Sequence, residues 1–205
     1  MVYTNLARSN KSHQPAVWRS RRDCYLLLLM ALVCSAAWPA AAAPDAPARV
    51  RSTNATMLEL IKEGTERSAM FRTLVDAIDH SNGIVYVEPG ICAFGHLNGC
   101  VLPFIFPIQG QRYMRILVTP DKSRVSHDQR LALIAHELQH AREVIAHAEV
   151  VDVPTMDQMY RQIGTPLPGT LSGYETSEAR AAGDAVFLEL SAKAGIPLRK
   201  GANPR

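Results

Sequence analysis

The sequence predicts an α+β domain, a short three-stranded sheet packed on helices. Helical periodicity fills the stretch from Thr56 to His80, three short β-rich segments follow, and helical periodicity returns at Ser126 and runs to about Ala194. Strands grouped together, rather than alternating with helices, point to α+β and away from a doubly wound α/β sheet. With 205 residues the chain is long enough for one domain with a sizeable core.

The N-terminal fifty residues are of another kind. Arg19, Arg21 and Arg22 precede the apolar run "CYLLLLMALVCSAAW", and the small, Pro-rich "PAAAAPDAPA" follows. A basic region, a short apolar run and Ala-x-Ala cleavage options make residues 1–43 an expected signal peptide for export, to the periplasm or outside the cell. An uncleaved anchor is the alternative, and the only expected contact with a membrane. "SRRDCYL" also resembles a twin-arginine signal, so the export route stays open. Residues 1–43 hold five of the 22 basic residues and one of the 19 acidic ones. The remainder is close to neutral, which leaves no basic footprint for nucleic acid. Residues 44–55 are expected as a loose linker, 56–195 as the folded domain and 196–205 as a tail.

Each element follows in order. Met70, Phe71, Leu74, Val75 and Ile78 form one apolar helical face, with an interruption expected near Gly64. Asn82-Gly83 stops that helix. "IVYV" is the first strand. "VLPFIF" and "RYMRILV" are the other two, joined through Gln109-Gly110 as a hairpin, and the proline in the former marks an edge or irregular strand. Ser126 and Gln129 form a capping box opening a long helix. Leu131, Ile134, Leu138, Ala141 and Ile145 share one of its faces, and Leu133, His136, His140, Val144 and His147 a neighbouring one. Asp152-Val153-Pro154 is expected to end it. A short helix carries Met156, Met159, Tyr160 and Ile163, closed by Gly164. The last helix is expected from Ser172, with Glu175 as a second capping-box match, to about Ala194 before Gly195 and Pro197.

Once the signal is set aside, Cys92 and Cys100 are the remaining cysteines. In an exported chain such a pair reads as a disulfide. Free thiols, or a Cys–His–Cys metal site using His96, are the alternatives. Pro89, Gly90, Gly95 and Gly99 work against the helix that such a metal site would need.

The chemistry centres on "LIAHELQHARE", residues 133–143. His136 and His140 stand one turn apart and face the same way, so both can bind one ion. Imidazole nitrogen suits Zn2+. Glu137 is off the ligand axis but within reach of a water at the metal, where it can act as general base. A solvated helix with spare polar residues is the bland alternative. It fits poorly with Ala135, Leu138 and Ala141 interleaving the ligands, because packed histidines need partners. A third ligand is required. Glu143 and Ala146 stand where a metzincin would carry glycine and histidine. His147 lies roughly 10 Å along the axis from His140, too far for the same ion. Glu175 and Glu178 remain. Glu175 shares the apolar face of Ala179, Ala182, Val186 and Leu190, whereas Glu178 shares a mixed face, so Glu175 leads. Glu143 is expected beside the ligands or paired with a neighbouring arginine.

In order and wording, "RYMRILVTP", "IAHELQHAREV" and "YETSEA" resemble a family of small bacterial exported proteins of gluzincin-like metallopeptidase type, over roughly residues 56–192. The resemblance implies a small gluzincin-like core. It matches His136 and His140 to the zinc-binding histidines, Glu137 to the general base and Glu175 to the glutamate of "YET". It also implies an edge strand that aligns the peptide, with "RYMRILVTP" in that place. Unlike thermolysin-like members, the chain lacks a second-domain histidine for oxyanion stabilisation; Tyr174, Tyr113 and His96 are the candidates. The expected function is an exported zinc-dependent metallohydrolase acting on peptide or protein substrates. The alternative is a zinc-stabilised envelope binding protein with little hydrolysis. Oligomeric state has no sequence signal.

Overall fold

The computed structural model describes residues 48–93, 97–120, 125–170 and 173–193. The expected signal peptide, His96, Ser172 and the tail lie outside the described residues. The domain is mixed α and β, as expected, with strands and helices largely segregated along the chain. Its elements are β1 (Val50–Arg51), α1 (Ala55–Arg67), α2 (Ala69–Asp79), β2 (Gly83–Pro89), β3 (Gly99–Val101), β4 (Phe106–Ile108), β5 (Gln111–Val118), α3 (His127–Ala146), α4 (Val153–Ile163), β6 (Thr165–Pro166), β7 (Tyr174–Glu175) and α5 (Ser177–Lys193).

The first helical stretch breaks at Ser68, not at Gly64. Extended backbone at Ser68 (φ −124°, ψ 129°) ends α1, and its side chain caps α2 by accepting from Phe71 N at 3.0 Å. Gly64 serves packing instead. A Cβ there would lie 2.6 Å from the Phe71 ring, so the glycine lets the two helices close on each other.

The sheet has five strands rather than three. Val50–Arg51, in the stretch expected as linker, pairs in parallel with β2, and β2 pairs in parallel with β5 from Gly83↔Arg112 to Pro89↔Val118. "VLPFIF" is not one strand. Its ends belong to β3 and β4, both antiparallel to β5, separated by the irregular stretch around Pro103. The β4–β5 hairpin turns at Gln109 (φ 51°) and Gly110 (φ 77°), as expected.

With order β1-β2-β5-β3, "RYMRILV" is an interior strand, not the expected edge strand; the ends of that order are β1 and β3. Met114, Ile116 and Val118 alternate inward from β5 and join Phe71, Ile78, Leu131, Ile134 and Leu138 in the core.

α3 starts with the expected capping box of Ser126 and Gln129. It is buried on most of its circumference because sheet and helices enclose it, with α5 its most extensive helical neighbour. It ends at Ala146, before the expected stop at Asp152. α5 begins at Ser177, not Ser172. Thr176 takes the capping role, its Oγ1 accepting from Ala179 N at 3.1 Å. The preceding Tyr174 and Glu175 are extended and pair with Thr165 and Pro166. Glu175 is therefore a strand residue and forms no capping box. The apolar face expected for α5 is there, with Ala179, Ala182, Val186 and Leu190 fully buried.

Cys92 and Cys100 form a disulfide that ties the chain after β2 to the edge strand β3. Among the described residues no helix is long and apolar enough to cross a membrane.

Candidate metal centre

One turn of α3 places the rings of His136 and His140 with centroids 5.0 Å apart. β7 brings Glu175 across to them. Glu175 Oε1 lies 3.5 Å from His136 Nε2 and 3.7 Å from His140 Nε2. One ligand atom from each of the three residues falls within 4.8 Å of the others, a group that can hold a metal ion.

The chemistry of the donors fits a cation. Glu175 Oε1 is buried and has no hydrogen-bond partner, a costly state for a carboxylate oxygen unless something binds there. Each histidine is held by its surroundings. His140 Nδ1 is 3.0 Å from Glu143 Oε2, and His136 bonds to the backbone of Ala179. Both Nε2 atoms are left facing Glu175.

Glu143 is held in turn, as its Oε1 accepts from Thr176 Oγ1 at 2.7 Å and from Gln139 Nε2 at 3.3 Å. It pairs with His140 and not with an arginine. Burial pushes the His136 imidazole down to about 4, helped by the neighbouring His140, so at neutral pH it is an uncharged donor. Burial acts the same way on His140, but the Glu143 hydrogen bond and nearby carboxylates raise it overall. Burial also raises the Glu175 carboxyl, against the pull of His140.

Glu137 lies between α3 and β3. Burial pushes it up to about 7, His140 opposing, Glu175 adding, and a hydrogen bond from the Val101 backbone opposing. β3 can pass this close because residue 99 is glycine. A Cβ there would sit 2.8 Å from Glu137 Oε1.

These residues line a cleft of about 490 Å³. The His136 and Glu175 side chains keep one-fifth of their surface exposed, so the cleft reaches the ligands. β3 and its flanks form one wall, and Val153, Met156, Asp157 and Tyr160 of α4 contribute another. Tyr160 donates its hydroxyl to His140 O at 3.1 Å, and burial holds that hydroxyl well above its ordinary range.

Of the sequence candidates, the structure brings together His136, Glu137, His140 and Glu175, with Glu143 behind them. Glu178 is exposed and bonds to Ser177. His147 is the C-cap of α3, bonded to Glu149. Tyr174 lines the cleft, but its hydroxyl donates to Asp157 at 3.0 Å; Tyr113 instead bonds to Gln111.

Thr176 and the α4 wall went unrecognised in the sequence. The apolar period of α4 was visible, but nothing local indicates which neighbour its face meets. Comparison with protein-family models, curated proteins and solved structures finds no match to this chain.

Proposed function

We propose that this protein is an exported zinc-dependent hydrolase of amide bonds in peptides, of gluzincin type, with His136, His140 and Glu175 as metal ligands and Glu137 as general base. The observation that carries this reading is a buried carboxylate that is not a ligand, Glu137, standing beside the metal group where the group meets a cleft. A purely structural metal site has no need of that base. Two imidazoles and one carboxylate are a common donor set for catalytic zinc, whose chemistry is Lewis acidity and a lowered pKa for water.

The chain's own residues supply the rest. Glu137 is placed to take a proton from the attacking water and return it to the leaving amine, and its raised affinity for protons suits both tasks near neutral pH. Glu143 and the Ala179 backbone orient the two imidazoles. On either side of β3, Asn98 O accepts from Thr119 N and Leu102 N donates to Arg115 O, so Gly99 and Val101 between them turn their backbone groups away from β5, and Val101 already uses one of its groups on Glu137. An extended substrate could align there by strand addition. The Cys92–Cys100 disulfide accords with an oxidising compartment.

The test is metal analysis of the purified protein together with cleavage of denatured proteins and cell-wall peptides, wild type against Glu137→Gln. The expected outcome is about one zinc per chain in both proteins, with cleavage by the wild type alone. Full zinc content with equal, background cleavage in both would favour the envelope binding protein instead.

A further inference from the structure

Beside the metal ligands, the cleft has a wall that the hydrolytic chemistry does not use. Val153, Met156, Asp157 and Tyr160 are spaced i, i+3, i+4 and i+7, so one face of α4 turns to the cleft. Val153 is apolar yet 41% exposed on that face. Tyr160 stacks on Tyr174, rings nearly parallel at 6.1 Å, which continues the apolar surface toward Glu175. Asp157 is the one charged side chain of this wall. Its two oxygens already accept from Tyr174 Oη at 3.0 Å and Arg161 Nε at 2.8 Å.

Charge decides what such a cleft can accept. Among the described residues lining it there is no lysine or arginine. On the α4 wall, away from the metal group, a phosphate or a chain-terminal carboxylate would lose its hydration and find no lysine or arginine beside it. A lysine of the substrate would meet an acid that is already paired. An uncharged apolar side chain loses nothing comparable and covers the exposed Val153, beside the largely buried Met156.

We propose that the cleft accepts an internal, uncharged stretch of polypeptide and seats a bulky apolar side chain of it against Val153 and Met156, making the protein an endo-acting hydrolase selective for apolar sequences. This rests on the hydrolase reading above and deepens it.

Zinc-loaded Glu137→Gln protein separates the two, because it keeps the ligands without the base. Short fluorescent peptides with both ends blocked, identical except for a central Leu, Phe, Asp or Lys, are titrated against it by anisotropy. A further Leu peptide is left with a free C-terminal carboxylate. The Leu and Phe peptides should bind at least about tenfold tighter than the Asp and Lys peptides, the scale on which apolar pockets discriminate. The free carboxylate should not improve binding.

In the same background Val153→Asp should bring the preference below about tenfold. An acid in the first turn suits the helix, so that variant should fold. A preference under about tenfold in the parent, one that Val153→Asp leaves unchanged, or tighter binding of the free carboxylate overturns the proposal. If wild-type protein cleaves no peptide that Glu137→Gln spares, the hydrolase reading and the endo-acting activity both fall. The anisotropy titration still decides the ligand class.

Discussion

Glu143 shows how one residue can govern a site it does not enter. It fixes the His140 ring through Nδ1, and Thr176 and Gln139 donate to its other oxygen. Losing it would free the ring to turn and leave buried donors unpaired. Glu143→Ala should lower zinc affinity about tenfold or more, read by competition titration with a chelator. Glu137 allows a test by pH. In the metal-free fold its carboxyl is raised to about 7 from an ordinary 4.5, chiefly by burial. A carboxyl raised by folding favours the native state below its unfolded value, and that contribution is lost as pH rises through about 7. Metal-free Glu137→Gln should therefore be more stable than wild type at pH 8, by an amount on the order of 3 kcal/mol, with the difference vanishing toward pH 4. Urea denaturation across that range checks it. Equal stabilities at pH 8 would count against a buried, charged Glu137.

At the scale of elements, Arg112 explains why α3 stops where it does. From β5 its guanidinium donates to Val144 O at 3.0 Å, His147 O at 2.7 Å and Val150 O at 3.2 Å, and also to Ile145 O. Those carbonyls end α3 and form the turn after it; Val144 O and His147 O also accept from His147 N and Val150 N, and the guanidinium adds bonds to Ile145 O and Val150 O. The sequence places Arg112 in a strand and a helix stop at Asp152-Val153-Pro154. It has no local mark for an arginine reaching over 30 residues ahead to end a helix earlier. Arg112→Met should cost about 1–3 kcal/mol, since it removes the guanidinium donor from Ile145 O and Val150 O. Chemical denaturation measures this, and a loss under about 0.5 kcal/mol would mean that water replaces the guanidinium. β3 shows the same limit. Its three residues carry too weak a local signal to compete with "RYMRILV" as the expected substrate strand, and sheet order alone puts it at the edge.

For the whole molecule, the metal group joins α3 to β7, which enters α5, the helix packed along α3. An ion bound there holds the native state and not the unfolded chain, so stability should rise with zinc concentration by mass action. The gain is about 4 kcal/mol when free zinc exceeds the dissociation constant a thousandfold. Thermal melts with and without zinc should show this rise in wild type and Glu178→Ala, and lose it in Glu175→Ala. A zinc-dependent rise retained by Glu175→Ala but lost by Glu178→Ala would reverse the assignment of the third ligand.

The sequence by itself determined what depends on near neighbours along the chain. The α+β class, the capping box of α3, the Gln109-Gly110 hairpin and the pairing of His136 with His140 all arise from spacings of a few residues. Glu175 was also legible as a member of the group that can hold a metal ion, though for an incomplete reason. It lies on a strand before the helix, not on the helix face from which it was inferred. The tertiary structure decided the rest. It made β3 an edge strand, split "VLPFIF" and recruited Val50–Arg51 into the sheet. It also joined Glu143 to Thr176 across 33 residues and turned α4 toward His136, His140 and Glu175. Strand order and wall placement come from burial summed over distant segments, so no short window of the chain contains them.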